Sequence, residues 1–166
     1  MHAPVVGTAD GDLRVMVLRA FDADAWTMRF HTDARSPKVD AIGGGASVSV
    51  LLYDPEAKIQ IRARGTGRIE RSGAQADAAW NEANNFARRC YLAERAPGAA
   101  ASGPTSGLPA EVEGIEPSDD QLTGARENFA VLLIALEQLD WLYLDHTGHR
   151  RAQFDLRNET ARWVVP

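Results

Sequence analysis

The stretch RVMVLRAFDADAWTMRFHTDARSPK, residues 14–38, decides the fold because it holds two strand patterns followed by a helix start. Side chains alternate with period two over residues 13–18 and again over residues 26–31, which is typical of half-buried strands. The link at 22–25 is short and polar. The sequence therefore predicts an antiparallel hairpin.

The end of this stretch is a candidate anion site. Ser36 is a favourable N-cap and Pro37 suits the first helical position. The free N–H groups at the start of a helix favour an anion. The same stretch carries four cations: Arg14, Arg19, Arg35 and Lys38. They are consistent with a phosphate site or with a solvated basic edge on an ordinary hairpin, and spacing alone favours the second interpretation.

Bulk properties limit the class of protein. The 166 residues and 18.1 kDa predict one domain, 1–166, that needs no disulfide or metal to hold its core. Cys90 is the single cysteine, which excludes an internal disulfide and fits a reducing compartment, so we expect a cytoplasmic protein. The net charge of −5 argues against a nucleic-acid partner. No signal-peptide pattern is present, and the apolar run near 129–136 is too short to cross a membrane.

The remaining chain is predicted to be mainly β with helices. Residues 1–11 are expected to be a loose leader, and glycines 43–45 end a short helix that begins at Ser36. Strands are predicted at 46–53, 57–71, 149–156 and 162–165, with a bulge or bend where Gly65 and Gly67 interrupt the second of these. A capping box at 72–75 and apolar spacings of three and four predict a long helix over 73–95.

Two segments leave alternatives open. Residues 97–124 are rich in proline and glycine and form a long loop, either a functional lid or a tolerated insertion. Residues 128–144 fit one helix or two strands, and we predict two strands with a turn at 137–138 because the rest of the chain builds a sheet. The predicted fold therefore has about seven antiparallel strands with one long and one short helix, in a closed or partly closed barrel.

Other candidate chemistry is weak. Asp145, His146 and His149 are metal-ligand residue types, but no third strong ligand is placed by the sequence, and surface turn residues are the favoured interpretation. Cys90 lies on the apolar stripe of the predicted helix and is expected to be buried and structural. No G-x-S-x-G element and no strand-following G-x-G-x-x-G element is present.

The order of several short elements is more informative than any one of them. These are Arg14-Val-Met-Val-Leu-Arg19, His31-Thr32-Asp33 with Arg35-Ser36-x-Lys38, Gln60-Ile-Arg62-Ala-Arg-Gly65, and then Trp141 and Arg151. In this order they resemble the pyridoxamine 5′-phosphate oxidase-like family over roughly 13–96 and 126–166. The resemblance implies an FMN-binding split barrel, usually a homodimer with flavin at the subunit interface.

The resemblance also implies residue roles. Ser36 and Lys38 would meet the FMN phosphate, and Gln60 would reach the isoalloxazine ring, from the same or the partner subunit. Trp141 and Arg151 would close over the cofactor. The full implied cofactor set is Arg14, Val15, Met16, Val17, Leu18, Arg19, His31, Thr32, Arg35, Ser36, Lys38, Gln60, Trp141 and Arg151. Arg19 and His149 are candidate substrate contacts, and the resemblance gives no catalytic acid or base.

The sequence departs from the true oxidase at the substrate phosphate. Thr147-Gly148-His149 stands where the oxidase has an R-x-H pair, and Pro37 replaces an arginine between the serine and the lysine. The expected function is therefore an FMN-dependent oxidoreductase on an unidentified small substrate. The alternatives are a non-catalytic flavin carrier and a split barrel using heme or deazaflavin. Surplus apolar residues near 46–53 and 129–144 support a homodimer.

Overall fold

A computed structural model describes residues 1–166 and contains nine strands. The strands are β1 (Val5–Thr8), β2 (Leu13–Val15), β3 (Leu18–Asp22), β4 (Thr27–Asp33), β5 (Ala46–Asp54), β6 (Ile59–Glu70), β7 (Phe129–Tyr143), β8 (Arg150–Asp155) and β9 (Thr160–Val164). The α-helices are α1 (Pro37–Ile42), α2 (Ala74–Glu82) and α3 (Asn85–Arg88). Single 3₁₀ turns cover Arg89–Leu92, Asp120–Leu122 and Ala125–Asn128.

The strands form one sheet with the order β2-β1-β5-β6-β7-β4-β3, and β8 and β9 continue from β7 as a hairpin. The predicted fold class, mainly antiparallel β with few helices, is confirmed. The chain divides into two compact units. The first contains residues 1–30, 41–68 and 133–166, and the second contains 31–40 and 69–132.

The core of the first unit lies on one face of β1, β5 and β6. Val48, Val50 and Leu52 alternate with exposed or half-buried neighbours along β5, as their period-two spacing predicts. Val6 of β1 lies opposite Val50, and Ala63 of β6 lies opposite Val50 from the other side. The inward face is therefore a continuous aliphatic layer across three strands.

Gly65 permits a close backbone approach. A Cβ atom at this position would lie 2.0 Å from the carbonyl oxygen of Ala135 on β7. The β5–β6 register runs without a shift through Gly65 and Gly67, so the predicted bulge is absent from this strand pair. At Gly65 the glycine is needed for space beside a neighbouring strand.

An aromatic cluster forms the core of the second unit. The ring of Phe129 is fully buried and meets Trp80 and Tyr91 edge-on, with centroids 5.3 and 5.0 Å away. The His31 ring approaches Phe129 at 5.0 Å, also edge-on. Edge-to-face contacts of this kind add to the area that the rings bury. Phe129 therefore links strand β7 to the helical residues of this unit.

Two strand predictions near the N-terminus are wrong. Residues 1–11 are not a loose leader, because Val5–Thr8 is a strand that pairs with both β2 and β5. Residues 13–18 are not one strand. They divide between β2, which pairs with β1, and β3, which pairs with β4 in the predicted hairpin. A four-residue strand is too short for its alternation to be recognised, and pairing on both edges stabilises it.

The segment 128–144 is one strand of 15 residues, so the predicted turn at 137–138 is wrong. Glu137 lies within the strand, where its carboxylate accepts a 2.7 Å hydrogen bond from the Thr66 hydroxyl and pairs with Arg157. The polar pair that resembles a turn in the sequence is thus a set of strand residues with cross-strand partners.

The predicted long helix over 73–95 is broken. Ala83 takes an extended conformation, and the Asn84 side chain accepts from the backbone N–H of Ala87 to begin α3. The N-cap of α2 is Gly73, not the predicted Ser72. Because the helical phase restarts, Cys90 is exposed rather than buried. Asparagine competes well for a cap, which explains the break.

We predict that Gly65→Ala destabilises the protein by about 1–3 kcal/mol or more, since its methyl group overlaps backbone atoms that cannot rotate away. Urea unfolding measures the change. Gly45→Ala is the matched control, because its Cβ would lie 3.8 Å from the nearest atom, the Thr66 methyl. Equal free energies of unfolding for the Gly65 and Gly45 variants would contradict the close approach of Gly65 to the Ala135 carbonyl.

Candidate cofactor site

Two hydroxyls and one ammonium group meet in the second unit, and we call Thr32, Ser36 and Lys38 the hydroxyl–lysine cluster. Lys38 Nζ donates to Ser36 Oγ at 2.7 Å and to Thr32 Oγ1 at 3.1 Å. Thr32 and Ser36 are each only 5% exposed. The alternation of β4 turns Thr32 inward, and Ser36 directly precedes α1. The chain therefore concentrates one cation and two buried hydroxyls at the end of a strand.

This donor set fits the phosphate group of FMN. A lysine ammonium binds phosphate as a compact charge, and hydroxyls donate to its remaining oxygens. Helix α1 has only 6 residues, so the predicted contribution of its dipole is small and the side chains must supply the attraction. The cluster contains Thr32, Ser36 and Lys38 of the predicted cofactor set.

Arg35 and His31 occupy the same unit but are engaged differently. The Arg35 guanidinium forms a two-point pair with Asp33, Nε to Oδ1 at 3.0 Å and Nη2 to Oδ2 at 2.7 Å. The hydrogen bond with Asp33 raises the pKa of Arg35. His31 is half-buried and packs on Phe129. The charge of Arg35 is thus balanced locally by Asp33.

The predicted segment 14–19 lies in the first unit. The Arg14 guanidinium donates to the Thr8 hydroxyl at 3.2 Å and pairs with the carboxylate of Asp12. The N–H groups of Met16 and Leu18 donate to carbonyls of residues 4 and 2. The side chains of Val15, Val17 and Arg19 are exposed. Arg14 and the two backbone N–H groups therefore bond within the protein, and the side chains of Val15, Val17 and Arg19 lie at the surface.

The β7–β8 register separates Trp141 from Arg151. Trp141 lies opposite Ala152, and Arg151 lies opposite Leu142, so the two predicted residues point to opposite faces of the ladder. Arg151 shares its face with Asp140, which also binds Arg62. Gln60 stands two residues before Arg62 and hence on that same face. The structure brings Gln60 and Arg151 to one face and places Trp141 on the other.

Asp140 organises the face that carries Arg151. Its carboxylate accepts from Arg151 at 2.7 and 3.0 Å, from Arg62 at 2.8 Å and from the Gln153 amide at 3.1 Å. The hydrogen bond from Arg151 is the main cause that lowers the pKa of Asp140 to about 2, and Gln153 and Arg62 add to it. Asp140 is therefore ionised at neutral pH and fixes two arginines.

The candidate substrate residue His149 belongs to a turn. Its Nδ1 accepts from the backbone N–H of Asp145 at 3.1 Å. The Asp145 carboxylate accepts from the Thr147 hydroxyl at 2.7 Å and from Lys58 at 3.0 Å, and these bonds hold its pKa below the usual range. No group of three metal-ligand residue types is close enough to hold an ion. His149 closes the turn between β7 and β8.

Sequence reasoning missed Asp140 and its partners. A sequence signal exists, because Asp140 is a charged residue inside the apolar stretch 139–144. Alternation alone places positions 138, 140 and 142 on one face. Recognising the network also requires the β7–β8 register, and that register depends on one uninterrupted β7 strand, which the prediction divided in two.

Residues 5–71 match the family model of the pyridoxamine 5′-phosphate oxidase, FMN-binding domain. The family resemblance is confirmed over these residues. The match includes the segment 14–19, the hydroxyl–lysine cluster and Gln60, and it confirms FMN as the predicted cofactor. No curated protein matches the sequence significantly.

Solved structures with related folds cover nearly the whole chain. A pyridoxamine 5′-phosphate oxidase-related, FMN-binding protein from Nostoc punctiforme aligns at 23% identity with a TM-score of 0.71, over 99% of this chain and 87% of its own. PhzG from Burkholderia lata, in complex with tetrahydrophenazine-1-carboxylic acid, aligns at 16% identity and TM-score 0.66, over 99% and 81%.

A Clostridium acetobutylicum protein of the pyridoxinephosphate oxidase family, related to general stress protein 26, aligns at 12% identity and TM-score 0.58, over 96% of this chain and 89% of its own. At these identities the alignments establish the shared fold, and the predicted split barrel is confirmed. None of the helices is long and apolar enough to span a membrane.

We predict that Asp140→Asn destabilises the protein by about 2 kcal/mol at neutral pH, the value of a pKa lowered from 3.8 to about 2. Because the folded-state pKa is depressed, this contribution is present above the ordinary pKa and disappears as pH falls through the folded value. Urea unfolding across acidic pH measures the difference from wild type. Asp24→Asn, at an exposed turn, is the control. A penalty that stays constant with pH would contradict the assignment.

Proposed function

We propose that this protein is an FMN-dependent oxidoreductase that acts on a small substrate, as a cytoplasmic homodimer. The observation that carries the proposal is the hydroxyl–lysine cluster, in which Lys38 Nζ lies 2.7 Å from Ser36 Oγ and 3.1 Å from Thr32 Oγ1. This cluster lies inside the segment that matches the FMN-binding domain. It supplies what a phosphate monoester requires, a cation and hydroxyl donors held by a rigid strand end.

The chain's residues bind and orient, while bound FMN supplies the hydride or electron transfer. Lys38, Ser36 and Thr32 would hold the phosphate. Gln60 and Arg151, on one face of the first unit, would provide polar contacts for the ring system. Binding and orientation of the flavin are therefore the roles proposed for these residues.

A second function, flavin binding without turnover, follows from the turn at 145–149. Thr147 stands where the true oxidase has a substrate-binding arginine, and its hydroxyl donates to Asp145 instead. His149 is engaged by the backbone of the same turn. These residues leave the turn without the cationic pair that grips a phosphorylated substrate, which favours a carrier or a substrate of different chemistry.

The test of the proposed function is flavin binding followed by reduction. We expect Lys38→Gln to weaken FMN binding about tenfold or more, because it removes the charged phosphate donor. Fluorescence titration of FMN measures the change. Lys58→Gln is a matched control, since Lys58 pairs with Asp145 in a surface turn.

The same samples are then mixed, separately, with reduced nicotinamide adenine dinucleotide and with pyridoxamine 5′-phosphate. The flavin absorbance is followed first without oxygen and then after oxygen is admitted. Reduction and reoxidation in wild type support the oxidoreductase. Tight binding with an inert flavin supports the carrier. Equal FMN affinity of the Lys38 and Lys58 variants would contradict the phosphate assignment.

An outward apolar patch supports the homodimer. Leu13 and Val15 of β2 are 67% and 66% exposed, and Leu51 and Tyr53 of β5 are 38% and 52% exposed. Val5 of β1 pairs with both Val15 and Leu51, so these side chains share one face of the three strands. A contiguous exposed apolar patch on a strand face is typical of a protein–protein interface. A second copy of this chain is the proposed partner.

We predict that Leu51→Glu converts the dimer to a monomer at micromolar concentration, because a carboxylate in the patch would lose its hydration while its cross-strand neighbour Arg62 is already bound by Asp140. Sedimentation velocity measures the mass. Val165→Glu is the control, because Val165 is 88% exposed and lies outside the patch. A wild-type monomer, or a Leu51 variant that remains dimeric, would overturn the interface.

A further inference from the structure

A cavity of about 650 Å³ opens on the polar face of the β6–β9 region in the first unit. We call it the arginine cavity. Its charged and amide lining includes Arg62, Arg64, Asp140, Arg151, Gln153 and Arg162. Its volume lies within the range of pockets that hold small organic ligands. It is larger than one phosphate or sulfate ion requires.

The register of the strand pairs places the polar side chains of the cavity lining next to one another. Asp140 of β7 lies opposite Gln153 of β8, and Gln153 lies opposite Arg162 of β9. Cross-strand partners share a face, so the three side chains form one row. The Gln153 amide donates to Asp140 at 3.1 Å, and its carbonyl accepts from Arg162 at 3.0 Å. The row fixes Arg162 in position across three strands.

Positive charge exceeds negative charge in the cavity. Four guanidinium groups, Arg62, Arg64, Arg151 and Arg162, face two carboxylates, Asp140 and Asp155, which leaves an excess of two positive charges. Asp155 is engaged in its own turn, where it accepts from the backbone N–H groups of Arg157 and Asn158. This excess occurs in a chain whose net charge is −5.

The arginines are not equally engaged. Asp140 binds Arg62 and Arg151, and both of its oxygens accept hydrogen bonds. Arg162 donates only to the neutral Gln153 amide. The Arg64 side chain has neither an ion pair nor a hydrogen bond, and only its backbone is paired, with β5. Arg64 and Arg162 therefore carry the two charges without a carboxylate partner.

We propose that the arginine cavity binds a small organic dianion, with Arg64 and Arg162 as its charge contacts and Asp140 as the residue that positions Arg62 and Arg151. Guanidinium forks pair with carboxylate or phosphate oxygens in two-point geometry. Phe154 is the one aromatic residue in the cavity lining, and Trp141 and Trp163 lie on the opposite face of the ladder, so we expect a compact and polar ligand.

The inference deepens the proposed function and rests on it for one statement, that the dianion is the substrate. The geometric support is Arg151, which lines the cavity and belongs to the predicted cofactor set. Gln60, another predicted flavin contact, lies on the same face as Arg62. An anion held by Arg64 and Arg162 would lie on the side of the sheet that carries these two flavin contacts.

Calorimetric titration of the FMN-loaded protein with succinate, citrate and pyrophosphate tests the site. We expect saturable binding of at least one of these anions and none of succinamide, the neutral analogue of succinate. Arg64→Gln should weaken binding about tenfold or more, since it removes one charge-assisted contact. Because the Arg64 side chain makes no hydrogen bond, this variant is expected to fold and to retain FMN.

Arg95→Gln is the matched control, because it changes net charge equally at an exposed loop residue that donates to the Ala100 carbonyl. Tighter binding of succinate or citrate identifies a carboxylate ligand, and tighter binding of pyrophosphate identifies a phosphate ligand. Three results would each overturn the site: no anion binds, succinamide binds as tightly as the tightest anion, or the Arg64 and Arg95 variants bind that anion equally.

The visible spectrum separates this inference from the proposed function. Anion binding that shifts the flavin spectrum in wild type supports a substrate site beside the cofactor. Anion binding without a spectral shift would overturn the substrate assignment. A protein that binds no FMN would contradict the proposed function, and the same titration on the flavin-free protein would still report whether the arginine cavity binds anions.

Discussion

The first unit depends on one steric constraint, the absence of a side chain at Gly65. Its Cα faces the Ala135 carbonyl so closely that a Cβ atom would overlap it at 2.0 Å. This contact brings β6 beside β7, and three outward pairs depend on that closeness: Thr66 with Glu137, Arg62 with Asp140, and Lys58 with Asp145. A residue that contributes no side-chain contact therefore determines where the charged ones meet.

The two candidate sites differ in how their positive charges are stabilised. In the hydroxyl–lysine cluster, two buried hydroxyls accept hydrogen bonds from Lys38, and the nearby Arg35 is neutralised by Asp33. In the arginine cavity a single ionised carboxylate holds two guanidinium groups that would otherwise repel each other. Asp140 thus lowers the cost of concentrating arginines in one place, and the remaining positive charge is available for a ligand.

Sequence reasoning found the strong local signals and failed where distant partners decide the structure. The period-two alternation of Val48, Val50 and Leu52 and the proline at the start of α1 depend on neighbouring residues only, and both appear in the structure as predicted. The break at Ala83 depends on whether Asn84 caps a new turn, and Glu137 stays in a strand because Thr66 and Arg157 are its partners. The Asp140 network requires a register that no local pattern specifies.

Strand β1 has a consequence for the order of folding. Val5 must pair with Leu51, yet the intervening chain contains the β3–β4 hairpin and α1. One edge of β1 can pair with the nearby β2, and its other edge stays open until β5 has been made. The hairpin, whose contacts are local, can form during that interval at low loop-closure cost. The β1–β5 pair therefore closes after these local pairs, and until then β1 presents one unpaired strand edge.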